Sequence, residues 1–186
     1  MMLHWSSGRR GFSAAGEKPP QMPDDKLAAE VTEATEALAA RGVRTSPVAG
    51  KPRDFVATIS PITGPFVSKE LRFAITFGDG FPFAAPLIHF EGSGRLFHPL
   101  CLATASTAAV DASSDGGNVP GDVLLYGSGT MVFSVGVHKV LKDLVSALEE
   151  PRAPQRGDAA NAAAAQLLTN DAAAFIETSA AWLANA

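Results

Sequence analysis

The 186-residue chain holds one cysteine, Cys101, along with one tyrosine and two tryptophans. A single thiol excludes an internal disulfide framework and a cysteine-rich zinc site. The four histidines, His4, His89, His98 and His138, are scattered, with no HExxH or comparable ligand spacing. Charged residues make up only 18% of the chain and leave a net charge of −4. With no basic block either, the electrostatic footprint of a nucleic-acid binder is missing. No run of 18 apolar residues occurs, which removes a transmembrane helix. There is no GxSxG elbow and no P-loop, and Gly127-Ser128-Gly129 is too short to imply phosphate binding. No carboxylate pair stands out from ordinary solvated helix faces. No cofactor is expected, and no metal.

What is abundant is alanine, with 33 residues. Alanine lifts the hydrophobic fraction to 46% without supplying much burial, so a core has to come from Leu, Ile, Val and Phe. That fraction is too high, and the net charge too low, for a wholly disordered chain. The length suits one domain with a tail. Residues 1–22 read as the tail: Arg9, Arg10, several Ser and Gly, no acid before Glu17, and no periodic apolar face. Arg- and Ser-rich, acid-poor leaders also direct import into mitochondria, so a transit peptide is the alternative. The absence of an Asn-x-Ser/Thr acceptor fits a cytoplasmic or nuclear protein, with a mitochondrial location the alternative. The domain is expected over 23–186.

From Pro23 the pattern becomes regular. Asp24 or Asp25 is placed to cap a helix reaching Arg41 and stopping at Gly42. Leu27, Val31, Ala34 and Leu38 share one face of it. The period then changes to two. Phe55, Ala57 and Ile59 alternate, as do Leu71, Phe73, Ile75 and Phe77, and a short strand follows over Pro86 to Phe90. Residues 91–130 lack periodicity, and CLATASTAAVDASSDGG within them has the composition of a surface loop. Ser134 is placed to cap a helix whose Val137, Val140, Leu141, Leu144 and Leu148 make an apolar face ending at Pro151. Two helices follow, Asp158 to Leu168 and about Asn170 to Leu183. In the second, Phe175 and Trp182 share a face, as do Ile176 and Leu183. Helix, then strands, then helices imply an α+β domain with helices packed on one sheet.

The stretch DFVATISPITGPFVSKELRFAITFGDGFPFAAPLIHF resembles the sheet of a ubiquitin-conjugating (E2) domain. The resemblance rests on Ile59, Gly64-Pro65, Leu71, Ile75 and Phe77, then Phe81-Pro82-Phe83 with Pro86, Ile88 and Phe90. The family continues with His-Pro-Asn, and this chain has His98-Pro99-Leu100. It then shows Gly-x-Val/Ile-Cys-Leu-x-Ile-Leu, which is set against Gly117 to Leu124. SVGVHKVLKDLVSALEEPR resembles the long E2 helix, and Asn161 to Ala165 and Phe175 to Trp182 resemble the closing helices. The resemblance covers roughly Asp24 to Leu183. It implies a UBC-like fold with an N-terminal helix, a four-stranded antiparallel meander sheet and three C-terminal helices.

The departures bear on function. In this alignment the family's catalytic cysteine falls on Pro120, and thioester chemistry requires a thiolate. The asparagine taken to stabilise charge on the attacked carbonyl is Leu100, which cannot donate a hydrogen bond. The vestigial site is thus His98, Pro99, Leu100 and Pro120, and the resemblance implies an inactive E2 variant. His98 is expected to be structural, its ring nitrogens satisfied by the turn that follows. Cys101 is the remaining nucleophile for an active transferase. It follows His98 by only three residues and lies between two leucines, the setting of an inert packed thiol. The family's activating enzyme meets a basic face on the first helix. Here Asp24, Asp25, Glu30, Glu33 and Glu36 stand against Lys26 and Arg41, and like charges at a rim oppose association. The loop after His98 is about a dozen residues longer than the family's and reads as a surface insertion or a partner-binding loop. Phe81, Pro82 and Phe83 are either core packing or a protein-binding anchor. The implied role is a binding or scaffold module whose partners are ubiquitin or a ubiquitin-like protein, an active E2, or a ligase. A transferase using Cys101 and a structural subunit recruited outside ubiquitin chemistry are the alternatives.

Overall fold

The computed structural model of the protein describes residues 21–92, 96–102, 121–126, 134–153 and 160–184. The first helix, α1 (Asp24–Leu38), buries Leu27, Val31, Ala34 and Leu38, the four positions its periodicity singles out. Its N-cap is Pro23 and no side chain caps it. Asp24 and Asp25 lie instead in the first turn, where their charge favours the helix dipole. A 3-10 turn, Ala39–Arg41, finishes the helix, and left-handed Gly42 ends it.

Four strands follow in a meander. Strand β1 (Val43–Val48) pairs with β2 (Lys51–Ile59), β2 with β3 (Leu71–Thr76), and β3 with β4 (Leu87–Phe90), all antiparallel and in the order β1-β2-β3-β4. The register sets Ile59 opposite Leu71, Ala57 opposite Phe73, Phe55 opposite Ile75, and Ile75 opposite Ile88. From Phe55 to Ile59 and across β3 and β4, one face of the sheet is therefore apolar and buried. The other face carries Arg44, Val56, Thr58, Arg72, Ala74, Thr76, Leu87 and His89. β1 has no apolar alternation and contains Pro47, and it lies at the edge of the sheet, where a missing amide costs nothing in the ladder.

The second helix, α2 (Val137–Glu149), buries Val137, Val140, Leu141, Leu144, Val145 and Leu148 in the core shared with the sheet and α1. Each such side chain contributes roughly 1.5–3 kcal/mol on burial. Its N-cap is Gly136 and not Ser134, whose φ of 43° takes it out of capping geometry. Glu150 ends α2 in a non-helical conformation, as the residue before Pro151 must. Helices α3 (Ala162–Asn170) and α4 (Ala172–Ala184) form a hairpin over a second, smaller core of Phe97, Ala164 and Phe175. The start expected for α3 at Asp158 lies outside the described residues. Asn161 caps the helix there, its side chain accepting from the Ala164 amide at 3.0 Å.

Two arginines tie the parts together. Arg53 on β2 donates to the carbonyls of Met22, Phe77 and Gly78 and to Asp24 at 2.7 Å, fixing the start of α1 against the sheet. Met22 is itself buried in the core, one residue inside the expected tail. Arg41 pairs with Glu149 at the end of α2, and Glu149 also accepts from the Ile62 amide. Among the described residues no buried side-chain polar atom lacks a partner.

Candidate functional site

The His98-Pro99-Leu100 turn is held from three sides. Ser179 of α4 donates to the Phe97 carbonyl at 3.2 Å, and the Asn161 amide donates to the Pro99 carbonyl at 3.1 Å. The third hold is His98 itself. It is buried, with Nε2 2.9 Å from the Ala147 carbonyl of α2 and Nδ1 3.1 Å from the Leu100 amide. A carbonyl only accepts and an amide only donates. The ring is therefore neutral, with the proton on Nε2. Burial lowers its pKa to about 4, the hydrogen bond to Ala147 opposing. Neither nitrogen is left for proton transfer. The turn satisfies Nδ1 as expected from the sequence, and the helix carbonyl satisfies Nε2.

Past the turn, the chain pairs with a second segment. Cys101 bridges Val123 in antiparallel sense, the Leu124 amide donates to the Leu100 carbonyl at 2.8 Å, and the Leu102 amide donates to the Asp122 carbonyl at 2.8 Å. The far side of this segment joins the sheet. The Phe90 amide donates to the Gly121 carbonyl at 2.9 Å, and the Val123 amide donates to the Ile88 carbonyl at 2.8 Å. The Leu100–Leu102 arm and β4 thus sandwich Gly121–Leu124. Gly121 has φ of +98°, and a Cβ there would meet His89 Cε1 at 2.8 Å. Glycine lets the two segments close.

Cys101 is 1% exposed and its Sγ lies 3.7 Å from the Gly121 carbonyl. Burial first, and the nearby Asp122 carboxylate second, push its pKa up to about 12. A thiol held in this way is a weak nucleophile at neutral pH. Leu100 is half-buried against the core and supplies no hydrogen bond from its side chain. Pro120 and the rest of the long loop, residues 103–120, lie outside the described residues.

Phe81-Pro82-Phe83 divides. Phe81 is 1% exposed and meets Phe77 edge-on at 4.7 Å, so its ring belongs to the core. The Pro82 carbonyl accepts from the Val135 amide at 3.0 Å, joining this loop to the segment before α2. Phe83 is 39% exposed. Of the three, Phe83 is the side chain open to a partner, with Leu87 nearby in sequence at 62% exposed.

Two polar groupings were not singled out in the sequence. His89 Nδ1 lies 3.0 Å from Asp122 Oδ1, joining β4 to the site segment by side chains as well as backbone. Outward positions on alternating strands would have pointed to His89, but its partner comes from beyond the loop. Tyr126 donates to Asp143 of α2 at 3.0 Å, beside Lys139. Burial and Asp143 both raise the Tyr126 pKa, so the phenol stays protonated. Among the described residues no three His, Cys, Asp or Glu side chains are grouped to hold a metal ion. None of the described helices is long and apolar enough to cross a membrane.

No family model and no curated protein matches the sequence. Solved structures do. A Plasmodium yoelii protein provisionally described as a ubiquitin conjugating enzyme aligns with a TM-score of 0.61 at 18% identity, over 86% of this chain and 92% of that one. The fold is UBC-like. The N-terminal helix, four-stranded meander and three C-terminal helices are those of the ubiquitin-conjugating enzyme fold. At that identity the likeness is one of architecture, and the chemistry has to be argued from this chain's own residues.

Proposed function

We propose that the protein is a non-catalytic member of the UBC-like fold, acting as a protein-binding or scaffold module in conjugation of ubiquitin or a ubiquitin-like protein. The observation that carries this reading is the state of Cys101. Conjugation passes the carrier protein through a thioester, so an accessible thiolate is indispensable. The chain's single thiol is buried, and its pKa is pushed to about 12. Next to it, Leu100 stands where a hydrogen-bond donor would stabilise the attacked carbonyl. His98 is spent on structure. Pro120, placed at the cysteine position by the sequence alignment, has no nucleophile either.

The surface charge of α1 supports the same reading. Asp25, Glu33 and Glu36 are exposed, while Arg41 is committed to Glu149. Lys26 is the cation α1 leaves to solvent, and carboxylates facing a partner that docks on a basic face slow association. Binding is assigned to the loop that presents Phe83. The partners proposed are ubiquitin or a ubiquitin-like protein, an active conjugating enzyme, or a ligase.

Titration of the isotope-labelled protein with ubiquitin, and separately with an active conjugating enzyme, tests the binding half by NMR. Shift changes clustered at Phe83, Ala84 and Leu87, weakened about tenfold or more by Phe83→Ala, are expected for at least one of them. That factor is the size of an ordinary interface anchor, about 1.4 kcal/mol. Saturating concentrations of both with no shift change would remove the scaffold reading.

A further inference from the structure

The pairing beyond the turn fixes a register. Leu124 donates to Leu100, Cys101 bridges Val123, and Leu102 donates to Asp122. All three relations belong to one antiparallel alignment, in which Leu100 lies directly opposite Leu124. A group that stabilises charge on an attacked carbonyl has to sit within hydrogen-bond reach of the atom the nucleophile attacks. Nucleophile and stabiliser are therefore neighbours. If Leu100 stands in the stabiliser's position, the residue across the ladder from it stands in the nucleophile's.

We infer that Leu124, and not Pro120, holds the nucleophile's place, so that two facing leucines close the vestigial site. This rests on the non-catalytic reading above. Side-chain placement agrees with it. Val123 is buried and Leu125 packs on the core, whereas Leu124 between them is half-buried and is not among the side chains packed there. Leu124 is thus a residue of the segment that an incoming chain terminus can meet. Gly121, next to Pro120 in sequence, donates to Leu102 and not to Leu100, so the ladder has already moved past the stabiliser's position. The local sequence fits as well. Gly121-Asp122-Val123-Leu124-Leu125 satisfies the opening Gly-x-Val/Ile-Cys-Leu of the pattern except at the cysteine, and its closing Ile-Leu falls on Gly127 and Ser128.

Paired cysteine substitutions test the register without any assumption about ubiquitin. Directly opposed residues have Cα atoms about 4.5–5.5 Å apart, within disulfide range. Leu100→Cys/Leu124→Cys should form an internal disulfide under mild oxidation, and Leu100→Cys/Pro120→Cys should not. A cross-link through position 120, or none through position 124, overturns the inference. The single variant Leu124→Cys supplies a second reading that needs no paired geometry. In the folded protein its thiol should react with a maleimide while Cys101, the internal control, stays protected; protection of both overturns the inference. The wild-type protein carries the separate test of the parent reading. A ubiquitin adduct on Cys101 would sink the non-catalytic reading and leave the cross-linking result standing, while a cross-link through 120 would do the reverse.

Discussion

His98 opens the turn on which the functional reading depends and Cys101 follows it, and both are buried. Cys101 should resist alkylation at pH 8 in the native protein and react at the ordinary rate of a free thiol once unfolded. Stopped samples analysed by intact mass follow this, with protection of at least 100-fold expected from a pKa near 12. His98 makes a prediction with a sign. Its folded pKa, about 4, lies below the 6.5 of an exposed histidine. The unfolded chain therefore binds a proton that the native state refuses between those values. The cost of refusing it is absent above pH 6.5, grows as pH falls, and levels off near pH 4, where it reaches about 3 kcal/mol. Denaturant melts of the wild type and His98→Gln between pH 7 and 4 should show this slope in the wild type and lose its histidine component in the variant. Burial of both residues was legible from their neighbours, since Leu100-Cys101-Leu102 is apolar and His98 precedes a proline turn. Which residue faces Leu100 was not. Gly-x-Val occurs twice in succession, at Gly117-Asn118-Val119 and Gly121-Asp122-Val123, and only backbone pairing separates the two.

The elements divide between those fixed by periodicity and those fixed by tertiary contact. α1, α2 and β3 have apolar residues at the period of their own structure, and each buried position follows from that spacing. Their ends do not. Pro23 and Gly136 occupy the cap positions for which Asp24 or Asp25, and Ser134, have the side-chain chemistry, because cap residues are chosen by how the chain enters as well as by side-chain chemistry. β1 escaped because an edge strand is free to carry Pro47 and polar residues, and nothing in Val43–Val48 alternates. The Gly64-Pro65 turn carries a long-range contact of a kind no local pattern reports. Gly64 has φ of +83°, and a Cβ there would fall 2.2 Å from the Glu149 carbonyl. Gly64→Ala combines left-handed strain of about 1–2 kcal/mol with a backbone clash, so a loss of at least ~2 kcal/mol is expected in equilibrium denaturation. Gly50 provides the control. Its φ is +73° and nothing lies within 4 Å of its Cβ position, so Gly50→Ala should lose only the strain component.

For the whole molecule, the order of helix, strands and helices gave the α+β class, and the order of weak motifs gave the UBC-like architecture that a solved structure shares. What we propose the molecule does with that architecture rests on the buried thiol of Cys101. The most direct test is a charging reaction. The full-length protein is incubated with an activating enzyme, ATP and ubiquitin, then run on a non-reducing gel beside an active conjugating enzyme and the Cys101→Ser variant. The account predicts that the active enzyme shifts by one ubiquitin and that this protein does not. A reducible adduct on the wild type that disappears in Cys101→Ser would contradict it.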